Sequence, residues 1–138
     1  MTNSSHQPAL HMSDVRKVYQ MGDEEVVALD HAELTVAPDE IVALVGPSGS
    51  GKTTLCSIAG GILSATAGTV VVGDEEITHY GNKQLTKFRQ NRVGFVFQTV
   101  NLVPFLNARE NLLVVDEMGR REGRPARERA DRLLNELG

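Results

Sequence analysis

Ile41-Val42-Ala43-Leu44-Val45 is a continuous apolar run without alternation, the pattern of a strand buried on both faces within a parallel sheet. Upstream, residues 10–19 carry apolar positions irregularly, the turn-like Met21-Gly22-Asp23 follows, and residues 26–36 mix apolar and polar positions. This predicts two antiparallel strands, closed off by Pro38-Asp39. After the apolar run, the Gly-rich residues 46–51 lead into residues 52–63, where Leu55, Ile58, Ala59 and Ile62 recur at helical spacing and predict an amphipathic helix.

Gly68 then precedes Thr69-Val70-Val71-Val72-Gly73-Asp74, a short strand ending in a turn, and residues 84–92 read as a polar helix. Val93-Gly94-Phe95-Val96-Phe97 is expected to be another strand. Residues 101–106 form an apolar loop bent at Pro104. In Asn107-Ala108-Arg109-Glu110 a capping residue stands three before a glutamate, the signature of a capping box opening a helix. Residues 119–125 interrupt the pattern, and Ala130, Leu133, Leu134 and Leu137 mark a last helix over residues 126–137. There is no internal repeat.

Composition bounds the class. With 138 residues, 41% apolar and 23% charged content, the chain has the make-up of an ordinary soluble globular domain. A net charge of -4 argues against a nucleic-acid partner, whose footprint is a basic surface. The six arginines from Arg120 to Arg132 are interleaved with Glu122, Glu128 and Asp131 and read as a solvated helical face. Cys56 stands alone, so no intrachain disulfide forms, and a buried helical position is expected for it. Residues 1–9 are short and polar, lack the pattern of a secretory signal, and are expected to form a flexible tail. No apolar run approaches the ~20 residues that cross a bilayer. His6, His11, His31 and His79 show no ligand spacing.

The chemistry concentrates at Gly46-Pro47-Ser48-Gly49-Ser50-Gly51-Lys52-Thr53, which matches the phosphate-binding P-loop and has the context that motif requires, an apolar strand before it and a helix after it. Small residues let successive backbone N–H groups point at phosphate oxygens, and the positive end of the following helix favours the anion. Lys52 is expected to reach the β- and γ-phosphates, the Thr53 hydroxyl to ligate Mg²⁺, and Thr54 to face an α-phosphate. The fold class that follows is an α/β P-loop NTPase core with an antiparallel β subdomain.

Beyond the loop, Lys17-Val18-Tyr19 with Val27-Ala28-Leu29, and Gly94-Phe95-Val96-Phe97-Gln98 continuing through Asn101-Leu102-Val103-Pro104-Phe105-Leu106 to Glu110-Asn111-Leu112, resemble the corresponding motifs of ABC-transporter ATPases. The likeness spans roughly residues 10–138. It falls within the subgroup of lipoprotein-releasing (LolD), macrolide-export (MacB) and cell-division (FtsE) ATPases, in which Asn107 stands where Thr is usual. The resemblance implies that Tyr19 stacks on adenine, making the nucleotide ATP. It implies that Gln98 senses Mg²⁺ and the γ-phosphate and belongs with Lys52 to the catalytic apparatus. It also implies a β subdomain and P-loop core over residues 10–97, followed over residues 98–138 by the Q-loop and the first part of a helical subdomain.

Further implications are a transmembrane permease subunit docking near residues 98–106, a second ATPase subunit with ATP at the interface, and a peripheral location on the cytoplasmic face of the membrane. A complete member continues through a signature motif, a Walker B strand with its catalytic glutamate and a switch histidine, so the chain is expected to be an N-terminal half. Leu112-Leu113-Val114-Val115-Asp116-Glu117 has the look of a Walker B strand, but it follows the capping box and reads as helix. Two alternatives stand beside the transporter subunit. One is a truncated, non-hydrolysing nucleotide-binding module. The other is a P-loop kinase or GTPase, against which Asn82-Lys83-Gln84-Leu85 lacks the aspartate of a guanine-reading motif.

Overall fold

A computed structural model describes residues 7–118 and 124–138, with the backbone alone for 115–118 and 124. The chain divides into two compact units, residues 1–93 and 94–138. In the first, β1 (Leu10–Met21), β2 (Glu24–Val36), β3 (Ala67–Val72) and β4 (Glu75–Glu76) form a four-stranded sheet in the order β2-β1-β3-β4, every pairing antiparallel. Helix α1 (Lys52–Ala59) connects β2 to β3 by way of the Gly-rich loop, and α2 (Asn82–Arg92) follows β4. The expected β1–β2 pair is there. Residues 1–6 of the expected tail lie outside the described residues. Gln7 donates to the Gly73 carbonyl at 2.7 Å and Ala9 accepts from the Gly73 amide at 2.9 Å, so the residues just before β1 are tied down rather than loose.

The core lies between this sheet and the helices. Met12 and Val15 of β1, Leu29 of β2, Val70 of β3, Ile58 of α1, Ile77, and Leu85 and Phe88 of α2 are all buried and form one cluster. The β1–β2 register is broken by opposed bulges. From Met12 to Val15, β1 advances three residues while β2 moves two, from Leu34 to Ala32; from Val15 to Lys17, β1 advances two while β2 moves three, to Leu29. Asp14 and His31 occupy these irregularities with φ of 54° and 48°, a left-handed conformation that Asp and His adopt more readily than most residues.

Four expectations are corrected. Residues 41–45 pair with no strand among the described residues. Only Leu44 turns partly inward, while Ile41 and Val45 are 98% and 93% exposed. A run apolar on both faces needs a neighbour on each side, and none of the described strands supplies one. The same holds for residues 93–97. Val93 packs against the core, but residues 94–97 join no ladder, and the Phe95 and Phe97 rings stack on each other at 5.9 Å on an open surface. Cys56 is helical but exposed. Two residues before the buried Ile58, it lies about 200° round α1 from the packed face. The helix also stops at Ala59, short of residue 63, because Gly60 and the left-handed Gly61 follow.

In the second unit, α3 (Ala108–Met118) opens as expected. The Asn107 Oδ1 accepts from the Glu110 amide at 2.9 Å, and a Glu110 carboxylate oxygen accepts from the Asn107 amide at 2.8 Å, a reciprocal capping box. Positions 116 and 117 are therefore helical backbone, not a strand. Helix α4 (Arg124–Leu137) buries Ala130 and is joined to α3 by a two-pronged Arg109–Asp131 ion pair at 2.5 and 2.9 Å. Arg120 and Arg121 lie outside the described residues. No helix among them is long and apolar enough to cross a membrane.

Candidate nucleotide site

The Gly-rich loop takes its shape from two glycines in the left-handed region, Gly49 and Gly51, each with φ of 83°. Gly51 is the residue from which α1 springs, its carbonyl accepting the first helical bond from the Leu55 amide at 2.8 Å. A loop tightened in this way points its amides outward instead of spending them on itself. Ser50 donates to the Pro47 carbonyl at 3.3 Å, but the amides of Gly49, Gly51, Lys52, Thr53 and Thr54 find no acceptor among the described residues. The last three are the orphan donors of a helix N-terminus, where the macrodipole adds a positive potential.

The Lys52 ammonium closes over the same loop, donating to the Gly46 carbonyl at 2.9 Å, the Pro47 carbonyl at 2.7 Å and the Ser50 hydroxyl at 3.2 Å. The cation is thereby held against the same loop that carries the free amides. Thr53 is exposed and its hydroxyl has no partner among the described residues. A cleft of about 340 Å³ lies on this surface, lined by Ser48, Gly49, Ser50, Lys52, Thr53 and Thr54 on one side and by Val26, Val27 and Ala28 of β2 on the other.

The β2 wall is a contribution that sequence reasoning missed. Nothing in Val26-Val27-Ala28 marks chemistry, and only the β1–β2 hairpin brings it to the loop. Tyr19 enters the picture through this wall, because it pairs directly with Val26, and cross-strand partners share a face of the sheet. Its ring is about one third exposed, and the Lys17 ammonium stands 5.1 Å from its centroid. Tyr19 does not itself line the cleft.

Gln98 belongs to the second unit, where it is exposed at a bend after the stacked phenylalanines. The apolar segment beyond it carries exposed Val100, Leu102 and Phe105. Asn111 organises that segment from α3: its carboxamide accepts from the Val103 amide at 2.7 Å and donates to the carbonyls of Val103, Leu106 and Asn107 at 3.3, 2.9 and 3.1 Å.

An antiparallel β subdomain feeding a P-loop and its helix defines a P-loop nucleotide-binding core. The model of the ABC transporter family matches residues 29–138, and the chain belongs to that family. Among curated proteins it is 38% identical to the uncharacterized ABC transporter ATP-binding protein YknY of Bacillus subtilis, over 94% of this chain and 56% of that protein. It is 39% identical to the lipoprotein-releasing system ATP-binding protein LolD of Pseudomonas fluorescens, over 97% of this chain and 59% of that one. The solved dimeric ABC transporter cassette MJ0796 superposes with a TM-score of 0.80 at 36% identity, covering 91% of this chain and 54% of that one. The same cassette, solved as a post-hydrolysis state bound to ADP and Pi, gives 0.79. The chain thus spans little more than half the length of the relatives it matches.

Proposed function

We propose that this chain is the nucleotide-binding portion of the energy-coupling subunit of an ABC transporter, and that its loop holds Mg-ATP. The unpartnered amides of Gly49, Gly51, Lys52, Thr53 and Thr54, with the Lys52 ammonium held on the same loop, carry the reading. Fixed donors without acceptors, at the positive end of a helix, fit an oligophosphate better than any neutral ligand.

In this reading Lys52 exchanges the carbonyls of Gly46 and Pro47 for β- and γ-phosphate oxygens, and Thr54 faces the α-phosphate. The small residues Gly46, Pro47, Ser48 and Ser50 keep the backbone close to the anion. Thr53, with an exposed and unpartnered hydroxyl, offers a hard oxygen ligand to Mg²⁺, and by the family resemblance Gln98 would be a second. Magnesium held there would neutralise negative charge on the β- and γ-phosphates. Tyr19 would stack on adenine. In the whole protein, ATP hydrolysis would drive a permease seated on the exposed apolar segment after Gln98, with a second ATPase subunit completing the assembly at the cytoplasmic face of the membrane.

Titration calorimetry with Mg-ATP, on the parent and on Lys52→Ala with its fold checked by circular dichroism, tests the reading. Loss of measurable binding in a folded variant is expected. Equal affinity in both proteins would sink the assignment of the loop.

A further inference from the structure

Lys17 makes two contacts at once. Its ammonium donates to the Ser64 carbonyl at 2.8 Å and stands over the Tyr19 ring at 5.1 Å from the centroid. The first contact follows from the path of the chain. Residues 64–66 leave α1 and run along β1, where the Thr66 amide donates to the Arg16 carbonyl at 2.8 Å and the Thr66 hydroxyl accepts from the Val18 amide at 3.0 Å. The second follows from strand geometry, since residues two apart on a strand share a face. The ammonium is therefore anchored on the segment that leaves the P-loop helix and set against the aromatic ring two residues along its own strand.

We propose that Lys17 is a positioning residue for the nucleotide base: its ammonium occupies one face of the Tyr19 ring and leaves the other face for adenine. This rests on the stacking role given to Tyr19 above. An exposed tyrosine at a strand end turns freely about its side-chain bonds, and a base that stacks on it must first immobilise it. A cation held against the negative face of the ring quadrupole favours one orientation beforehand, so less freedom remains to be lost on binding. The Ser64 carbonyl holds the cation in place, and this keeps a long, flexible lysine stem from wandering. The Tyr19 hydroxyl has no hydrogen-bond partner among the described residues, which leaves Lys17 as the polar group that orients the ring. Ring, cation and phosphate cradle are then parts of one unit, tied through α1, and the spacing between base and phosphates is set before the nucleotide arrives.

The test compares Mg-ATP with magnesium tripolyphosphate, which has the phosphates but no base. In the full chain, Lys17→Met should weaken ATP by about two- to fivefold, the range of an exposed cation–π contact, and leave tripolyphosphate unchanged. Lys17→Arg should restore ATP affinity, and Lys17→Gln, which can still donate to the Ser64 carbonyl but carries no charge, should behave like Lys17→Met. In a Tyr19→Ala background, itself weaker for ATP by about fivefold or more, Lys17→Gln should have no further effect. Equal loss for both ligands would mean that Lys17 only supports the fold, and would overturn the inference. Parent-like ATP affinity in Lys17→Met and Lys17→Gln, with Tyr19→Ala impaired, would overturn the inference while leaving the Tyr19 reading intact. Unimpaired binding by Tyr19→Ala would remove both.

Discussion

Gly51 lies so close against Leu29 that a Cβ at position 51 would stand 2.7 Å from the Leu29 Cδ2 and 2.8 Å from the Ala28 carbonyl oxygen. Leu29 is buried in the core and Ala28 lines the candidate nucleotide cleft, so the glycine is where the Gly-rich loop meets the β subdomain. Gly49 shares the same φ but has open space where its Cβ would go.

The pair separates backbone strain from crowding. Gly49→Ala should cost about 1–2 kcal/mol, the penalty of a left-handed non-glycine residue. Gly51→Ala should cost that amount plus about 1–3 kcal/mol for forcing Leu29 and the Ala28 backbone apart. Urea denaturation of the two variants checks this, and equal losses would show that Leu29 gives way freely.

Stability should depend on pH through His31. Its Nδ1 is bonded to the Asp14 carboxylate, its Nε2 lies 3.7 Å from Asp30, and the Asp14 hydrogen bond, ahead of the charges of Asp14 and Asp30, raises its pKa above the ordinary 6.5, with Arg16 opposing. Glu33 accepts from the Asp14 amide at 2.7 Å and adds to the acidic surroundings. A folded pKa above the unfolded one contributes stability that is full below about 6.5 and is lost as pH rises through the folded value. His31→Asn, which keeps a residue tolerant of positive φ, should therefore lower the melting temperature most at about pH 5 and least at about pH 9. A difference independent of pH would show that the pair does not form.

Two asparagines govern the second unit. Asn107→Ala removes the cap of α3 and should cost about 1 kcal/mol, whereas Asn107→Thr, which can still accept from the Glu110 amide, should be nearly silent. Asn111→Ala strips one acceptor from the Val103 amide and one donor from three carbonyls, and should cost about 1–3 kcal/mol. Hydrogen exchange reads this directly: the Val103 amide should lose protection in Asn111→Ala and keep it in Asn107→Thr.

The unpaired residues 41–45 should make the chain associate. Ile41 and Val45 expose nearly all of their surface on a backbone that pairs with no strand among the described residues, the template for edge-to-edge pairing. Light scattering should show concentration-dependent association of the parent, reduced in Ile41→Lys and Val45→Lys. Unchanged scattering in both would place the contact elsewhere.

What the sequence by itself determined about this protein is what short-range chemistry determines. The P-loop needs only small residues, one lysine and a following helix. The Asn107–Glu110 box closes within four residues. The β1–β2 pair folds about its own turn, and family membership follows from the spacing of these motifs. The tertiary structure decided whatever needs a distant neighbour. Residues 41–45 read as a buried strand and residues 93–97 as another strand because apolar patterning reports a preference for burial, but a strand exists only where a ladder partner arrives, and none does among the described residues. Cys56 reads as buried because cysteine is among the most buried residue types, but residue type cannot say which side of a helix faces the core; the packing of Ile58 settles that. The β2 wall of the cleft and the Lys17 contact with Ser64, 47 residues away, are likewise invisible in one dimension, because each is made by chain segments that meet only when the sheet and α1 pack together.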